Sequence, residues 1–87
     1  MKKIEIYTKG YCPYCRRAKE LLELKGVEFI EYDVGADPGK EAEMRRRSGR
    51  QTVPEIFADD ELLGGCDDLF QLEERGELDA RLGLAGE

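Results

Sequence analysis

Pro13 constrains this chain more than any other residue, because it follows the alternating run Lys3-Ile4-Glu5-Ile6-Tyr7 and stands between two cysteines in Tyr11-Cys12-Pro13-Tyr14-Cys15. Proline lacks an N–H, and its fixed φ suits the first position of a helix. The chain therefore passes from a strand, Lys3 to Tyr7, into a helix that opens at Pro13 with Cys12 as its N-cap. The apolar positions Cys15, Ala18, Leu21 and Leu22 recur at helical spacing as far as Lys25, and Gly26 ends the helix. Glu28 to Val34 is aromatic and β-branched and reads as a second strand, so the first third of the chain is a β-α-β unit with a parallel pair and a right-handed crossover.

The remaining elements follow from caps and breakers. Asp37-Pro38 is a cap with a first-turn proline, and it opens a second helix that runs to Arg45-Arg46-Arg47 and stops at Ser48-Gly49. Acidic residues early and arginines late complement that helix's dipole, which explains the arginine triplet better than nucleic-acid binding does. Glu55 to Ala58 is a third strand, Asp59-Asp60 a turn, and Glu61-Leu62-Leu63 a short antiparallel partner that Gly64-Gly65 breaks. Asp67 or Asp68 caps a third helix with Leu69, Phe70 and Leu72 facing inward, Leu78 to Leu82 is a last helical piece, and Gly83 to Glu87 reads as a frayed tail. The order β-α-β-α-β-β-α predicts an α/β fold with a four-stranded mixed sheet covered by helices. At 87 residues the expectation is one domain over 1–87.

The cysteine pair carries the chemistry. Cys12 at a helix start faces unpaired backbone donors and the positive end of a dipole, both of which favour the nucleophilic thiolate. Cys15, one turn on, can close a disulfide onto Cys12 and release whatever Cys12 has attacked. A zinc site needs about four ligands, yet the chain has no histidine and only one further cysteine, Cys66. A structural disulfide across so small a loop would stabilise little. Thiol-disulfide redox chemistry is the reading that remains.

Charge and hydropathy narrow the class further. Residues 1–50 hold 12 basic and 9 acidic side chains, whereas residues 51–87 hold 2 and 11, a balance that argues against nucleic-acid binding. Lys9, Arg16 and Arg17 put positive potential around the thiols. Glu5 and Lys9 interrupt any signal-peptide core, and no apolar run approaches a membrane span. A monomeric cytoplasmic protein with no membrane association is expected, because a reactive Cys-x-x-Cys is a working part where thiols are kept reduced.

Three separated motifs, Cys12-Pro13-Tyr14-Cys15, Thr52-Val53-Pro54 and Gly64-Gly65-Cys66-Asp67-Asp68, together resemble the glutaredoxin family, most closely its bacterial dithiol type. The resemblance runs from about Lys3 to Leu82. It implies a thioredoxin fold, a redox-active Cys12–Cys15 pair, no tightly bound cofactor and no metal, and glutathione as reducing co-substrate. It further implies that Lys9, Cys12, Tyr14, Thr52, Val53, Pro54, Gly65, Cys66, Asp67 and Asp68 contact glutathione. The Val53–Pro54 bond is cis in that family, which lets the Val53 backbone pair with the tripeptide as an added strand does. Clients would be disulfide-bearing or glutathionylated proteins, ribonucleotide reductase being the family-level example. Cys66 reads equally as a small buried residue and as a modulating third thiol. Two rival functions remain on the same residues. One is a redoxin of the same fold fed by thioredoxin reductase, and the other an iron–sulfur carrier using Cys12 and glutathione, disfavoured by Pro13.

Overall fold

The computed structural model describes residues 2–84. In chain order the elements are β1 (Ile4–Thr8), α1 (Pro13–Leu24), β2 (Phe29–Asp33), α2 (Pro38–Ser48), β3 (Glu55–Ala58), β4 (Glu61–Gly64), α3 (Cys66–Glu74) and α4 (Leu78–Arg81). The sheet order is β2-β1-β3-β4, with β1 parallel to β2 and the other two pairings antiparallel. This is the expected thioredoxin-like mixed sheet, and β1 at its centre aims its C-terminal end at the cysteine loop.

The alternation along β1 sorts side chains to two faces. Ile4 and Ile6 pack with Ala18, Leu21 and Leu22 of α1, Leu69 and Leu72 of α3, and Leu78 of α4. Tyr7 and Phe57 pack on the opposite face with Met44 of α2. A fully buried leucine such as Leu22 contributes roughly 1.5–3 kcal/mol by leaving water, so α1 is held mainly by this face.

Polar residues complete the α2 face. Arg47 donates to Glu5 at 3.0 Å and to the Tyr7 hydroxyl at 2.6 Å, its guanidinium lies 4.0 Å over the Phe57 ring, and Tyr32 donates to Glu5 at 2.8 Å. Tyr7 in turn donates to Glu43. Burial and the Glu43 carboxylate push the Tyr7 phenol up to about 12, against the pull of Arg47. The arginine triplet therefore divides its work. Arg45 makes the helix-surface pair with Glu41 at 3.2 Å, while Arg47 turns back and ties α2 to the sheet, a role that dipole complementarity does not foresee.

Five boundaries differ from the sequence reading. The strand β1 is displaced by one residue, ending at Thr8, and β2 is shorter than Glu28 to Val34, although Val34 still donates to Thr8 O at 2.8 Å. Gly64 does not break β4 but pairs with Ile56 across a register shift at Ile56/Phe57. The cap of α3 is Gly65, not Asp67 or Asp68, because Asp68 reaches back to accept the Gly65 N–H at 2.9 Å. Of the expected frayed tail, Gly83 and Leu84 are held in place. Leu84 donates to Asp79 O at 2.8 Å and packs on the core, and residues 85–87 lie outside the described residues.

Candidate functional site

Two helix N-termini and one loop converge beyond the C-terminal end of β1. Cys12 caps α1 with extended backbone (φ −147°, ψ 104°), and its Sγ accepts the Cys15 N–H at 3.1 Å. The sulfur thus occupies the place of a capping oxygen. Cys12 is half-buried and Cys15 is buried, and the two sulfurs are free thiols. Burial pushes the Cys15 thiol up to about 12, and the neighbouring Cys12 sulfur adds to the shift. The two sulfurs thus differ: the half-buried one is open to solvent-borne disulfides, and the buried, protonated one is screened by protein.

A cleft of about 250 Å³ lies beside Cys12, lined by Tyr14, Arg50, Thr52, Val53, Pro54, Gly65, Cys66, Asp67 and Asp68. The structure thus gathers eight of the anticipated glutathione residues into one wall-and-floor arrangement and adds Arg50. The Val53–Pro54 bond is cis. A Cβ on Gly65 would stand 3.2 Å from Pro54 O, so glycine there lets the start of α3 approach the proline loop. Gly64 is more tightly held: at φ +113° a Cβ would fall 2.3 Å from the Asp68 carboxylate. The Gly65 N–H holds the Asp68 carboxyl below its ordinary range, with Arg50 assisting at 3.3 Å. Asp67, by contrast, is exposed at the cleft. Cys66 is buried at the first position of α3, and burial raises its thiol although Arg17 works against the shift.

Beneath the cleft sits a residue that sequence reasoning missed. Glu55 is fully buried, accepting from Thr52 Oγ1 at 3.0 Å and from Arg50 at 3.4 Å. A charged residue opening an otherwise apolar strand, five positions after an arginine, was the available signal. Burial pushes the Glu55 carboxyl up, although Thr52 and Arg50 pull the other way. A carboxyl whose folded value is raised favours folding most when protonated, and that advantage is lost as pH rises through the folded value. Glu55→Gln cannot ionise. It should therefore gain stability relative to wild type as pH rises from the ordinary carboxyl value of ~4 to 7, and urea melts across that range that remain parallel would remove Glu55 from the list of buried charges.

Lys9 is not in this cleft. It lines a second one of about 390 Å³, together with Gly10, Tyr11, Cys12, Pro13, Cys15, Arg16, Arg17 and Lys19. Tyr14 stands at the lip of the first cleft, more than half exposed. Cys12 lines the second cleft and not the first. Among the described residues no helix is long and apolar enough to cross a membrane.

Comparison with known proteins agrees with this geometry. The family profile described as Glutaredoxin matches residues 4–63. Over 82 residues the chain is 55% identical to Glutaredoxin 3 of Escherichia coli (strain K12), covering 94% of this chain and 99% of that protein. The solution structure of glutaredoxin from Brucella melitensis superposes with a TM-score of 0.81 at 52% identity, covering 95% of this chain and 92% of that one. The crystal structure of a buckwheat glutaredoxin–glutathione complex does so with a TM-score of 0.85 at 26% identity, covering 94% of this chain and 77% of that one.

Proposed function

The chain belongs to the glutaredoxin family, the glutathione-dependent disulfide oxidoreductases, with Cys12 and Cys15 as its dithiol pair, and from that premise we propose that it reduces protein disulfides and protein–glutathione mixed disulfides by a Cys-Pro-Tyr-Cys dithiol route. The observation that carries the reading is the placement of the half-buried Cys12 sulfur on the α1 N-terminus, in the wall of the second cleft, with Cys15 buried one turn behind it.

The proposed chemistry is two successive exchanges. The Cys12 thiolate attacks one sulfur of a client disulfide, the client S–S bond breaks, and the departing sulfur takes a proton. Cys15 then gives its proton to solvent and attacks the Cys12 sulfur, which frees the second client thiol and leaves the Cys12–Cys15 disulfide. Two glutathiones restore the dithiol and depart as glutathione disulfide. With a glutathionylated client the first attack falls on the glutathione sulfur, and a second glutathione completes the cycle without Cys15.

Glutathione, bound in the buckwheat relative, fits the first cleft by its chemistry. The Val53 backbone would pair with the cysteinyl unit, and the open N–H groups of Cys66 and Asp67 would hold the γ-glutamyl carboxylate. Asp68 is already engaged by Gly65 and Arg50, so the γ-glutamyl ammonium is assigned to exposed Asp67, with Asp68 keeping the helix start in place. Thr52 and Pro54 shape the floor, Gly65 allows close approach, and Tyr14 covers the sulfur. A tripeptide extends about 10 Å, which lets its glycyl carboxylate pass Cys12 towards Lys9. A reducing cytoplasm, glutathione and disulfide-bearing client proteins complete the proposal.

Charge-assisted contacts of this kind are worth roughly 1.5–3 kcal/mol. Asp67→Asn should accordingly raise the KM for glutathione by about tenfold or more, while Asp68→Asn also lowers the melting temperature because α3 loses its cap. A glutathione-coupled assay on a small mixed disulfide tests this. An unchanged glutathione dependence in both Asp67→Asn and Lys9→Ala, alongside efficient turnover with thioredoxin reductase, would transfer the protein to the thioredoxin-reductase-fed class.

A further inference from the structure

The chain holds 14 lysines and arginines against 20 acids, and among the described residues ten of those cations form ion pairs. The four that do not are Lys9, Arg16, Arg17 and Arg46. Three of these four line the second cleft beside Cys12. In so acidic a chain, cations left without partners at one place are held there against the many carboxylates available elsewhere. The Arg16 and Arg17 side chains are exposed on the first turns of α1, with Arg17 5.3 Å over the Phe70 ring, and Tyr11 is 90% exposed at the mouth. Lys19 also lines the cleft, but Glu31 holds it at 3.0 Å, and that carboxylate is further engaged by Thr8. No acidic residue lines the cleft itself.

We infer that this second cleft is the docking surface for the client polypeptide, and that it selects acidic segments flanking the disulfide to be reduced. The inference rests on the proposed function and names the partner class for that same nucleophile. Glutathione accounts for Lys9 alone and leaves Arg16 and Arg17 without a ligand. A client attacked by Cys12 must extend beyond its own sulfur, and the wall it meets on this side is cationic. Positive charges at the rim act chiefly by steering encounter and by disfavouring basic partners.

Two synthetic peptides test this. Both carry the same intramolecular disulfide, one flanked by glutamates and the other by lysines, and each is mixed with the reduced protein in a single turnover that needs no glutathione. The ratio of the two second-order rate constants cancels any change in Cys12 reactivity. The wild type should oxidise with the acidic peptide about tenfold faster at low ionic strength, within the range known for electrostatic steering, and the ratio should collapse at high salt. In Arg16→Gln/Arg17→Gln the ratio should fall most of the way to one at low salt. A wild-type ratio near one, or a ratio unaltered in the double variant, overturns the inference. The same wild-type sample is assayed with glutathione and a small mixed disulfide. Activity there with a flat peptide ratio removes only the docking surface, whereas no activity there removes the proposed function itself.

Discussion

Cys12→Ser is expected to abolish exchange with every substrate, a loss on the order of 10³-fold or more, while Cys15→Ser keeps turnover of glutathionylated substrates and loses reduction of intramolecular protein disulfides. The structure makes the comparison a clean one. A serine hydroxyl at position 12 can accept the Cys15 N–H as the sulfur does, and serine is a favoured N-cap, so the variant should remain folded. What disappears is the only thiol of the pair that a solvent-borne disulfide can reach. Cys15, 2% exposed and with its thiol pushed up to about 12, is protonated at neutral pH and screened by protein. It can serve only after Cys12 has brought a sulfur to it. Retention of deglutathionylation by Cys12→Ser would reverse the assignment of nucleophile and resolver.

Arg47→Met is expected to cost up to about 3 kcal/mol of stability, because it leaves the buried Glu5 carboxylate with only Lys3, exposed and 3.9 Å away, as its cation. Denaturant melts should show the loss, and Glu5→Gln/Arg47→Met should recover much of it, since removing both partners of a buried pair is far cheaper than removing one. The pH dependence supplies a second readout. Burial alone would raise the Glu5 carboxyl, but bonds from Arg47 and Tyr32 outweigh it and hold the group below its ordinary value. A lowered folded value contributes stability that is present above the unfolded value and is lost as pH falls through the folded one. The wild type should thus lose stability on the acid side of the ordinary glutamate range. Arg47→Met should lose less, because only Tyr32 and Lys3 then oppose the effect of burial. Equal acid sensitivity of the two proteins would show that Arg47 does not set the Glu5 ionisation.

Most of the element order was legible because it rests on local rules. Pro13 after an apolar-alternating run, Asp37-Pro38, the glycines at 26, 49 and 76, and the Asp59-Asp60 turn each act within a few residues. The misreadings share a different cause. Gly64 reads as a strand breaker, yet it pairs with Ile56 at a register shift that accommodates its positive φ. Asp67 or Asp68 reads as a cap, yet Asp68 works from inside the helix by bonding backward to Gly65. Gly64 and Gly65 are each coupled by packing to Asp68, four and three residues on, which no one of these residues announces alone.

By itself the sequence determined the nucleophile, the strand-to-helix junction that holds it, the parallel β-α-β unit and the family, since Cys12, Pro13 and Cys15 act on one another within a single helical turn. Only the tertiary structure decided which charges are used up and which are free. Arg47 looked like its neighbours Arg45 and Arg46 until α2 packed over Glu5 and Tyr7. Arg50 and Glu55 became the support beneath Thr52 only when β3 closed against the start of α3. Lys9 and Asp67 fell into two different clefts, with Cys12 in the wall of the one that holds Lys9. Local backbone preferences reach across a turn or two, whereas the pairing of charges depends on which side chains the sheet order brings within hydrogen-bond distance, and that is settled only by long-range packing.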